Sequence, residues 1–364
     1  MEGIDVVKVV YFNQWFSQIT DVIADIKKKH GDRVKVIGSS KTPGHAYSTV
    51  VDEFILEDWK EGATTEESMK NYIEWSLNLC KQKHVDIFFV KKYADVVSKH
   101  RLEYAFNGTG TFLVCEDAET LELFNSKAEV YRSLLNNEVI KPYIPMFYQG
   151  NDKEYMKQII SDAREQKHEP MCLKLDRDEG GFSFRAIDNK PLDMKNLMKY
   201  RVNCFGTEEA FRFIDNISTE EFERLIFMEV LDSPEISVDC YKSKNGFISM
   251  CRAKINNTRI QRFYHDERIS KVCEEIANHF NLRFPFNVQF RIKHGEDENN
   301  LDNLRLLEIN PRMSGGTYYQ LLLGLNMAEV CLLDMINQNE LYNIKDYTEF
   351  DEKRVSHVET AILV

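Results

Sequence analysis

Residues 305–316 read Arg305-Leu-Leu-Glu-Ile-Asn-Pro-Arg-Met-Ser-Gly-Gly316. The apolar run before Glu308 predicts a β-strand, whose side chains alternate between two faces. We therefore expect Glu308, Asn310 and Arg312 on one face, with the intervening apolar residues in the core. A carboxylate and an amide oxygen on one face suit Mg²⁺, which takes few protein ligands and keeps phosphate oxygens. A neighbouring arginine can neutralise charge on a transferring phosphoryl group.

A second strand lies upstream and reads Phe286-Asn-Val-Gln-Phe-Arg291. Gln289 is a polar residue among apolar neighbours there. A hairpin through the polar loop His294–Asn303 sets Gln289 beside Glu308. Taken alone, Gln289 can equally satisfy a neighbouring backbone group. Together with Glu308 and Asn310, it is predicted to bind the metal.

Length and composition describe the protein that carries these strands. A chain of 364 residues predicts two or three domains, and the net charge of −12 argues against binding to nucleic acid. The eight cysteines form no CxxC pair, which excludes the usual zinc spacings and a disulfide framework. No apolar run approaches the roughly 18 residues of a membrane span, and the N-terminus is acidic where a signal peptide is basic. We expect a cytoplasmic protein that binds no membrane.

Apolar periodicity divides the chain into three parts. Residues 1–115 alternate strand and helix patterns, as in a small doubly wound α/β domain. Neither GxGxxG nor GxxxxGK[ST] occurs in them, so the usual dinucleotide device is not expected. Residues 116–225 have an α+β pattern. The last part, 226–364, is mostly strand, with helices over 267–280 and 317–336. The fold class is thus α/β and α+β.

The two polar strand segments resemble the metal strands of the ATP-grasp superfamily, which read roughly Q-F/V…E-x-N-x-R. The nearest likeness is to the large-subunit type of carbamoyl-phosphate synthetase, and it covers most of the chain. It implies a Rossmann-like pre-ATP-grasp domain over 1–115, followed by a two-subdomain ATP-grasp fold. In that fold, 116–225 carries the glycine-rich loop, and 226–364 carries the adenine hinge and the metal strands.

The same resemblance implies a phosphate-binding lysine before the glycine-rich loop. Lys174 lies at the end of a strand before Gly180 and Gly181. The ending Gly-Phe-Ser-Phe-Arg185 is similar to the ATP-grasp branch found in tellurium-resistance gene neighbourhoods, although Leu175 replaces a common proline. An ammonium and flexible backbone amides are what a bound triphosphate requires. The alternative is an ordinary turn with an exposed lysine.

Further nucleotide contacts are implied by position. Ser126-Lys127 stands where the family has Asp-Lys, so Lys127 is expected at the phosphates, with a solvated lysine as the alternative. The segment Phe227-Met-Glu-Val-Leu-Asp232 resembles the adenine hinge, with the backbone of Glu229, Val230 and Leu231 at the adenine edge. Glu235 corresponds to the carboxylate that holds the ribose hydroxyls.

Substrate contacts have no motif of their own. Arg252, Arg262 and His265 lie between the hinge and the metal strands, and Arg185 follows the glycine-rich loop. Arginines there can fix a substrate carboxylate or phosphate by bidentate bonds. For each of them an exposed surface position is the alternative.

The resemblance implies an ADP-forming, Mg²⁺-dependent ligase in which Mn²⁺ can replace the metal. A small-molecule or peptide carboxylate attacks the γ-phosphate, with Arg312 and Lys174 spreading the charge, and an amine or thiol captures the acyl phosphate. The rivals are a kinase of the same fold and a nucleotide-binding regulatory protein without turnover. A homodimer is common among relatives and has no signature here.

Overall fold

The structure is a computed structural model, and it describes residues 7–106, 108–166, 170–178, 181–188, 204–255, 260–342 and 351–357. The chain forms two compact units. The first unit comprises residues 1–122, 237–288 and 309–364, and the second comprises 123–236 and 289–308. This division into two units, each made of separate segments of the chain, does not test the three continuous ranges predicted from the sequence, which stay a prediction.

The first unit contains a five-stranded parallel sheet with the order β3-β2-β1-β4-β5. Val10 and Phe12 on β1 pack with helix α1, whereas Tyr11 packs on the opposite face with helix α2. The continuous apolar run of β1 therefore covers both faces, as in buried parallel strands, and the predicted doubly wound domain is confirmed. The elements are β1 (Lys8–Asn13), α1 (Ile19–His30), β2 (Val34–Ser40), β3 (Glu53–Leu56), α2 (Thr65–Gln82), β4 (Ile87–Phe89), α3 (Ala94–Lys99), α4 (Arg101–Phe106), β5 (Phe112–Val114) and α5 (Ala118–Asn125).

The second unit contains a sheet with the order β6-β10-β7-β8-β9. Its core lies between this sheet and two helices, where Met156 and Ile160 pack with Leu173 and Phe227. This is the α+β pattern that the sequence predicts. The elements are α6 (Lys127–Leu134), β6 (Phe147–Tyr148), α7 (Lys153–Gln166), β7 (Met171–Leu175), β8 (Arg185–Ile187), β9 (Cys204–Phe205), α8 (Thr207–Asn216), α9 (Thr219–Glu223) and β10 (Leu225–Glu229).

The third sheet has six strands in the order β15-β14-β11-β12-β13-β16. Three of these strands, β11, β14 and β15, each have residues in both units. The two predicted metal strands, β14 and β15, are hydrogen-bonded neighbours in it, which confirms the predicted pairing. The elements are β11 (Leu231–Ser243), β12 (Gly246–Lys254), β13 (Ile260–Tyr264), α10 (Glu267–His279), β14 (Phe286–Lys293), β15 (Leu304–Asn310), α11 (Met327–Met335) and β16 (Arg354–Ser356).

The single helix predicted over 317–336 is wrong. A 3₁₀ turn covers Thr317–Leu323, and Gly324 then takes a left-handed conformation with φ 76°. Asn326 caps the α-helix that follows, because its side chain accepts a hydrogen bond from the amide of Glu329. The apolar spacing runs through the break, so periodicity alone did not reveal it.

Two further expectations concern the whole chain. No helix in the described ranges is long and apolar enough to cross a membrane. All eight cysteines are free, and seven of them are buried, in agreement with the expected absence of a disulfide framework.

Candidate functional site

Lys174 lies on β7 and is only 6% exposed, so the alternative of an exposed lysine is wrong. Burial above all, together with the nearby charge of Lys127, lowers the pKa of Lys174 to about 8. The carboxylates of Glu308 and Asp176 act in the opposite direction. Lys127, Lys174 and Glu308 therefore belong to one electrostatic cluster within the second unit, although the sequence separates them widely.

Tyr131 explains how this cluster is assembled. Its hydroxyl donates hydrogen bonds to the carbonyls of Leu307, at 2.6 Å, and of Leu306, at 3.2 Å. These bonds fix helix α6 against β15 beside Glu308. Burial, and then the charge of Glu308, raise the pKa of Tyr131 well above its ordinary value. Tyr131 was not predicted from the sequence, although it lies one helical turn after Lys127 and thus on the same side of α6.

A buried carboxylate stabilises the start of the same helix. Asp176, which follows β7, accepts a hydrogen bond from the Ser126 hydroxyl at 2.5 Å and from the Ala128 amide at 2.8 Å. Ser126 also caps the helix, because its hydroxyl accepts from the amide of Glu129. The first turn of a helix favours negative charge. Asp176 thus supplies from β7 the carboxylate that the family pattern places at position 126.

We expect the substitution Ser126→Asp, which restores the family residue, to destabilise the protein by about 2 kcal/mol at pH 7. The new carboxylate lies beside Asp176, and two buried like charges raise the pKa of one of them. The folded state then holds an extra proton, so the destabilisation grows as the pH rises from 5 to 7.

Urea unfolding at several pH values measures this effect. The matched control Ser126→Ala loses the cap and the bond to Asp176, about 1 kcal/mol each, but adds no second carboxylate. An aspartate variant as stable as the wild type at pH 7 contradicts the role given to Asp176.

Hydrogen bonds between its own residues hold the segment that follows β7. Ser183, from the Gly-Phe-Ser-Phe-Arg ending, donates through its amide and hydroxyl to the carboxylate of Asp178, at 2.9 and 2.5 Å. The same hydroxyl accepts from the Leu175 amide at 2.9 Å. Lys127 donates to the carbonyl of Asp178 at 2.7 Å, so this lysine contacts the loop directly. Lys127 is half-buried, and its expected role at the phosphates stays a prediction.

Of the two predicted loop glycines, Gly180 lies outside the described residues. Gly181 has φ 67°, and a Cβ there would meet no atom within 4 Å, so backbone conformation and not space favours glycine. Arg185 donates to the carbonyls of Phe184 and Phe182, at 2.7 and 3.2 Å, and so helps to hold the loop.

The predicted adenine hinge joins β10 to β11. The amides of Glu229 and Val230 donate to the carbonyls of Met146 and Pro170, at 3.1 and 2.9 Å. Around the hinge lies a small apolar cluster of the second unit, formed by Cys172, Met228, Leu231, Phe147, Phe184, Val230 and Leu307. An apolar wall beside backbone polar groups is what a flat heterocycle requires.

Glu235, the predicted ribose ligand, lies in β11. Its carboxylate is 3.1 Å from the guanidinium of Arg291 on β14, and its side chain is 12% exposed. An ion pair with a partly exposed arginine can exchange for ribose hydroxyls. The sequence analysis did not single out Arg291.

The predicted metal ligands supply oxygen atoms. Gln289 and Glu308 are half-buried on neighbouring strands of the second unit. Asn310 and Arg312 belong to the first unit, two and four residues beyond Glu308 along the chain. The described ranges contain no group of three histidine, cysteine, aspartate or glutamate side chains that suits a metal. A site here depends on amide oxygens as well as on one carboxylate, a donor set that fits Mg²⁺.

Arg252 is 2% exposed, so the alternative of a surface arginine is wrong for it. Its guanidinium forms a buried ion pair of 2.6 Å with Asp239 and donates to Gln261 at 2.6 Å and to Ser314 at 3.3 Å. Asp239 also accepts from Asn287 and from Gln320, at 2.8 Å each. This buried network holds the segment that directly follows Arg312.

Two adjacent glycines test the network. A Cβ on Gly316 would lie 2.7 Å from Nη2 of Arg252, whereas one on Gly315 would meet nothing within 4 Å. Neither glycine has a positive φ, so alanine fits both backbones. We expect Gly316→Ala to lower the free energy of unfolding by about 2 kcal/mol through overpacking. The control Gly315→Ala is expected to change it by less than about 0.5 kcal/mol. Equal urea midpoints for the two variants would contradict the buried network.

The remaining predicted substrate residues are more open. Arg262 on β13 forms an ion pair of 2.9 Å with Glu352, and His265 is exposed after that strand. Their roles as substrate ligands stay a prediction, as does that of Arg252.

Comparisons with known proteins agree with this arrangement. Residues 221–361 match a family described as ATP-grasp in the biosynthetic pathway with Ter operon. The protein has the ATP-grasp fold. The strands β10–β15 all fall within the matched residues, and the predicted ATP-grasp fold is confirmed.

Solved ATP-grasp structures resemble nearly the whole chain. N5-carboxyaminoimidazole synthetase from Staphylococcus aureus, complexed with ADP, superimposes with a TM-score of 0.62 at 13% identity, over 93% of this chain and 79% of that one. The biotin carboxylase domain of the Hydrogenobacter thermophilus 2-oxoglutarate carboxylase, solved with MgADP and bicarbonate, gives 0.61 at 13% identity over 96% and 73%. L-amino acid ligase from Bacillus licheniformis gives 0.56 at 13% identity over 92% and 75%. No curated protein matches the sequence significantly.

Proposed function

We propose that the protein is an ADP-forming ligase that activates a carboxylate with ATP and joins it to an amine or a thiol. The observation that carries this proposal is the burial of Lys174 on β7, in the unit where Tyr131 holds the helix of Lys127 against β15 beside Glu308. Two cations next to a carboxylate on a strand edge suit a triphosphate and its metal.

The nucleotide contacts follow from the second unit. Lys127 and Lys174 bind the phosphates beneath the loop that contains Gly180 and Gly181. The apolar cluster accepts the adenine ring, and the backbone of Glu229, Val230 and Leu231 binds its edge. Glu235 binds the ribose.

The metal assignment rests on the donor set. Gln289, Glu308 and Asn310 would hold Mg²⁺, with Mn²⁺ as a substitute. When bound, the ion neutralises charge on the terminal phosphates.

The chemistry of the chain is positioning and charge stabilisation. Arg312 and Lys174 stabilise the negative charge as the carboxylate oxygen attacks the γ-phosphorus, and ADP leaves. The loop excludes water, because an exposed acyl phosphate hydrolyses. Arg185, Arg252, Arg262 and His265 are proposed to select substrates, Arg252 through the segment that it holds.

Oxygen-18 transfer tests the proposal. A panel of carboxylic acids and amines is screened for acid-dependent ADP release, and the active acid is then labelled in its carboxylate. Transfer of one labelled oxygen to inorganic phosphate is expected, since that oxygen becomes the bridge of the acyl phosphate. A phosphorylated product without free phosphate would instead identify a kinase. ADP binding without any acid-dependent turnover would identify a regulatory protein.

A further inference from the structure

A tyrosine and a histidine of the first unit are joined by a hydrogen bond. The hydroxyl of Tyr318 lies 2.6 Å from Nδ1 of His357. Tyr318 belongs to the 3₁₀ turn that follows the metal-strand segment, and His357 directly follows the edge strand β16. Both side chains are half-buried, and neither has a role in the proposed nucleotide and metal contacts.

Strand pairing fixes the backbone that carries His357. Strand β16 is antiparallel to β13, with Val355 opposite Gln261 and Ser356 opposite Ile260. At the other end of β16, Phe263 donates its amide to the carbonyl of Lys353 at 3.0 Å. The imidazole is therefore presented from the end of a strand that is tied to the sheet along its length.

Aromatic packing supports the other member of the pair. The ring of Tyr318 stacks on that of Tyr319, with centroids 4.2 Å apart. The guanidinium carbon of Arg252 lies 5.6 Å from the centroid of Tyr319, and the buried ion pair with Asp239 holds that guanidinium. Tyr318 thus rests on the buried network that orders the segment after the metal strand.

The start of helix α1 relates this pair to the reacting groups. The guanidinium carbon of Arg312 lies 5.3 Å from the ring centroid of Phe16, whose carbonyl accepts from the amide of Ile19 at the first position of α1. Asp21 lies in the first turn of the same helix, and its charge acts on the hydroxyl of Tyr318. Tyr318 and Arg312 therefore lie at the same end of α1, and Arg312 is proposed to stabilise the phosphoryl group.

The electrostatic surroundings keep the proton on the tyrosine. Burial above all, together with Tyr319 and Asp21, raises the pKa of Tyr318 above its ordinary value. The charge of Arg252 acts in the opposite direction. The hydroxyl is therefore protonated at neutral pH, and it can donate to Nδ1 of the imidazole tautomer that carries its proton on Nε2. Such an imidazole can take the hydroxyl proton when the oxygen accepts another one.

The proposed ligase reaction requires a proton acceptor. A primary amine has an ordinary pKa near that of lysine, about 10.4, so fewer than about one molecule in a thousand is uncharged at pH 7. The ammonium form has no free electron pair and cannot attack an acyl phosphate. The amine therefore has to lose a proton in the site before the bond to carbon can form.

We propose that Tyr318 and His357 form a proton relay that deprotonates the amine substrate, with the Tyr318 hydroxyl in contact with the amine. The proposal rests on the proposed ligase function. The hydroxyl oxygen accepts a proton from the substrate ammonium while its own proton passes to Nδ1 of His357. The neutral amine attacks the acyl carbon, a C–N bond forms, and the bond from that carbon to the phosphate oxygen breaks. The phosphate leaves with the electron pair and takes the second amine proton, and the imidazolium releases its proton to water.

Two nucleophiles separate the relay from the formation of the acyl phosphate. The acid found in the screen for ADP release is incubated with ATP and with either its amine or hydroxylamine, which is uncharged at pH 7 and attacks without prior deprotonation. We expect Tyr318→Phe to lower amide formation about a hundredfold, the contribution of a general base. Hydroxamate formation, which reports the acyl phosphate, should stay within about threefold of the wild type.

His357→Asn distinguishes a relay from a purely structural hydrogen bond. The amide oxygen of asparagine takes the place of Nδ1 and still accepts from Tyr318, but it cannot take a proton. We expect this variant to lose amide formation as Tyr318→Phe does, with hydroxamate formation again preserved. The matched control is His279→Asn, at the exposed end of α10, which should keep both rates.

The possible outcomes are distinct for the two proposals. Wild-type amide formation in either Tyr318→Phe or His357→Asn, or an equal loss of amide and hydroxamate, overturns the relay and leaves the ligase proposal standing. A wild-type protein without acid-dependent ADP release overturns the ligase proposal, and the relay with it.

Discussion

Glu308→Gln is expected to lower acid-dependent ADP release by about a thousandfold, because an amide replaces the one carboxylate of the proposed metal site. The two side chains have nearly the same shape, so the packing of β15 should persist. The bonds from Tyr131 reach the backbone carbonyls of Leu306 and Leu307, and the substitution does not touch them. The rate of ADP formation at saturating ATP and Mg²⁺ measures the loss.

The control for this variant is Glu296→Gln, which removes the same charge from an exposed turn after β14. It should keep the wild-type rate, and both variants should keep the wild-type urea midpoint. If Glu308→Gln retains normal turnover, the assignment of the metal strands is wrong.

Lys174→Met is expected to weaken MgADP binding by about tenfold to a hundredfold at pH 7, the loss of charge-assisted hydrogen bonds to the phosphates. Burial lowers the pKa of this lysine to about 8, so its ammonium is present below that pH and is lost above it. The nucleotide affinity of the wild type should therefore fall as the pH rises through 8. Calorimetric titrations with MgADP from pH 6.5 to 9.5 should show the fall in the wild type and none in the variant.

The same burial predicts the opposite effect on stability. The unfolded lysine binds a proton up to its ordinary pKa of 10.5, whereas the folded one loses it near 8. Between these values the unfolded state binds more protons, so stability rises with pH across that window. Below it the buried ammonium costs free energy, and Lys174→Met should stabilise the protein at pH 7 by about 2 kcal/mol.

Urea unfolding at pH 7 and at pH 9.5 tests this trade between binding and stability. Lys35→Met, at an exposed position of β2, is the matched control and should change stability by less than about 0.5 kcal/mol. A Lys174→Met variant that is less stable than the wild type would show that Lys174 has a structural role instead.

Local pattern was sufficient for the parts of the molecule that depend on strand periodicity. The two apolar runs around the polar loop His294–Asn303 correctly predicted the pairing of β14 with β15, and the continuous apolar run of β1 correctly predicted a buried parallel strand. Apolar spacing did not predict the helix break at Gly324, because one left-handed residue ends the 3₁₀ turn without changing the apolar spacing around it.

The local sequence pattern could not show which polar side chains are buried. Arg252 reads as an ordinary polar residue, since its partners Asp239, Asn287 and Gln320 are brought together only by the fold. Asp176 likewise reads as part of an acidic loop until its bonds to Ser126 and Ala128 are known. Pairing between distant residues is a tertiary property, and it decides whether a charged side chain is exposed or buried.

The most direct test of the account counts bound Mn²⁺ by electron paramagnetic resonance in protein saturated with ADP. We predict tight binding to the wild type and at least about tenfold weaker binding to the double variant Gln289→Leu, Glu308→Gln. Equal Mn²⁺ affinity in the two proteins, at equal ADP occupancy, would contradict the claim that strands β14 and β15 hold the metal.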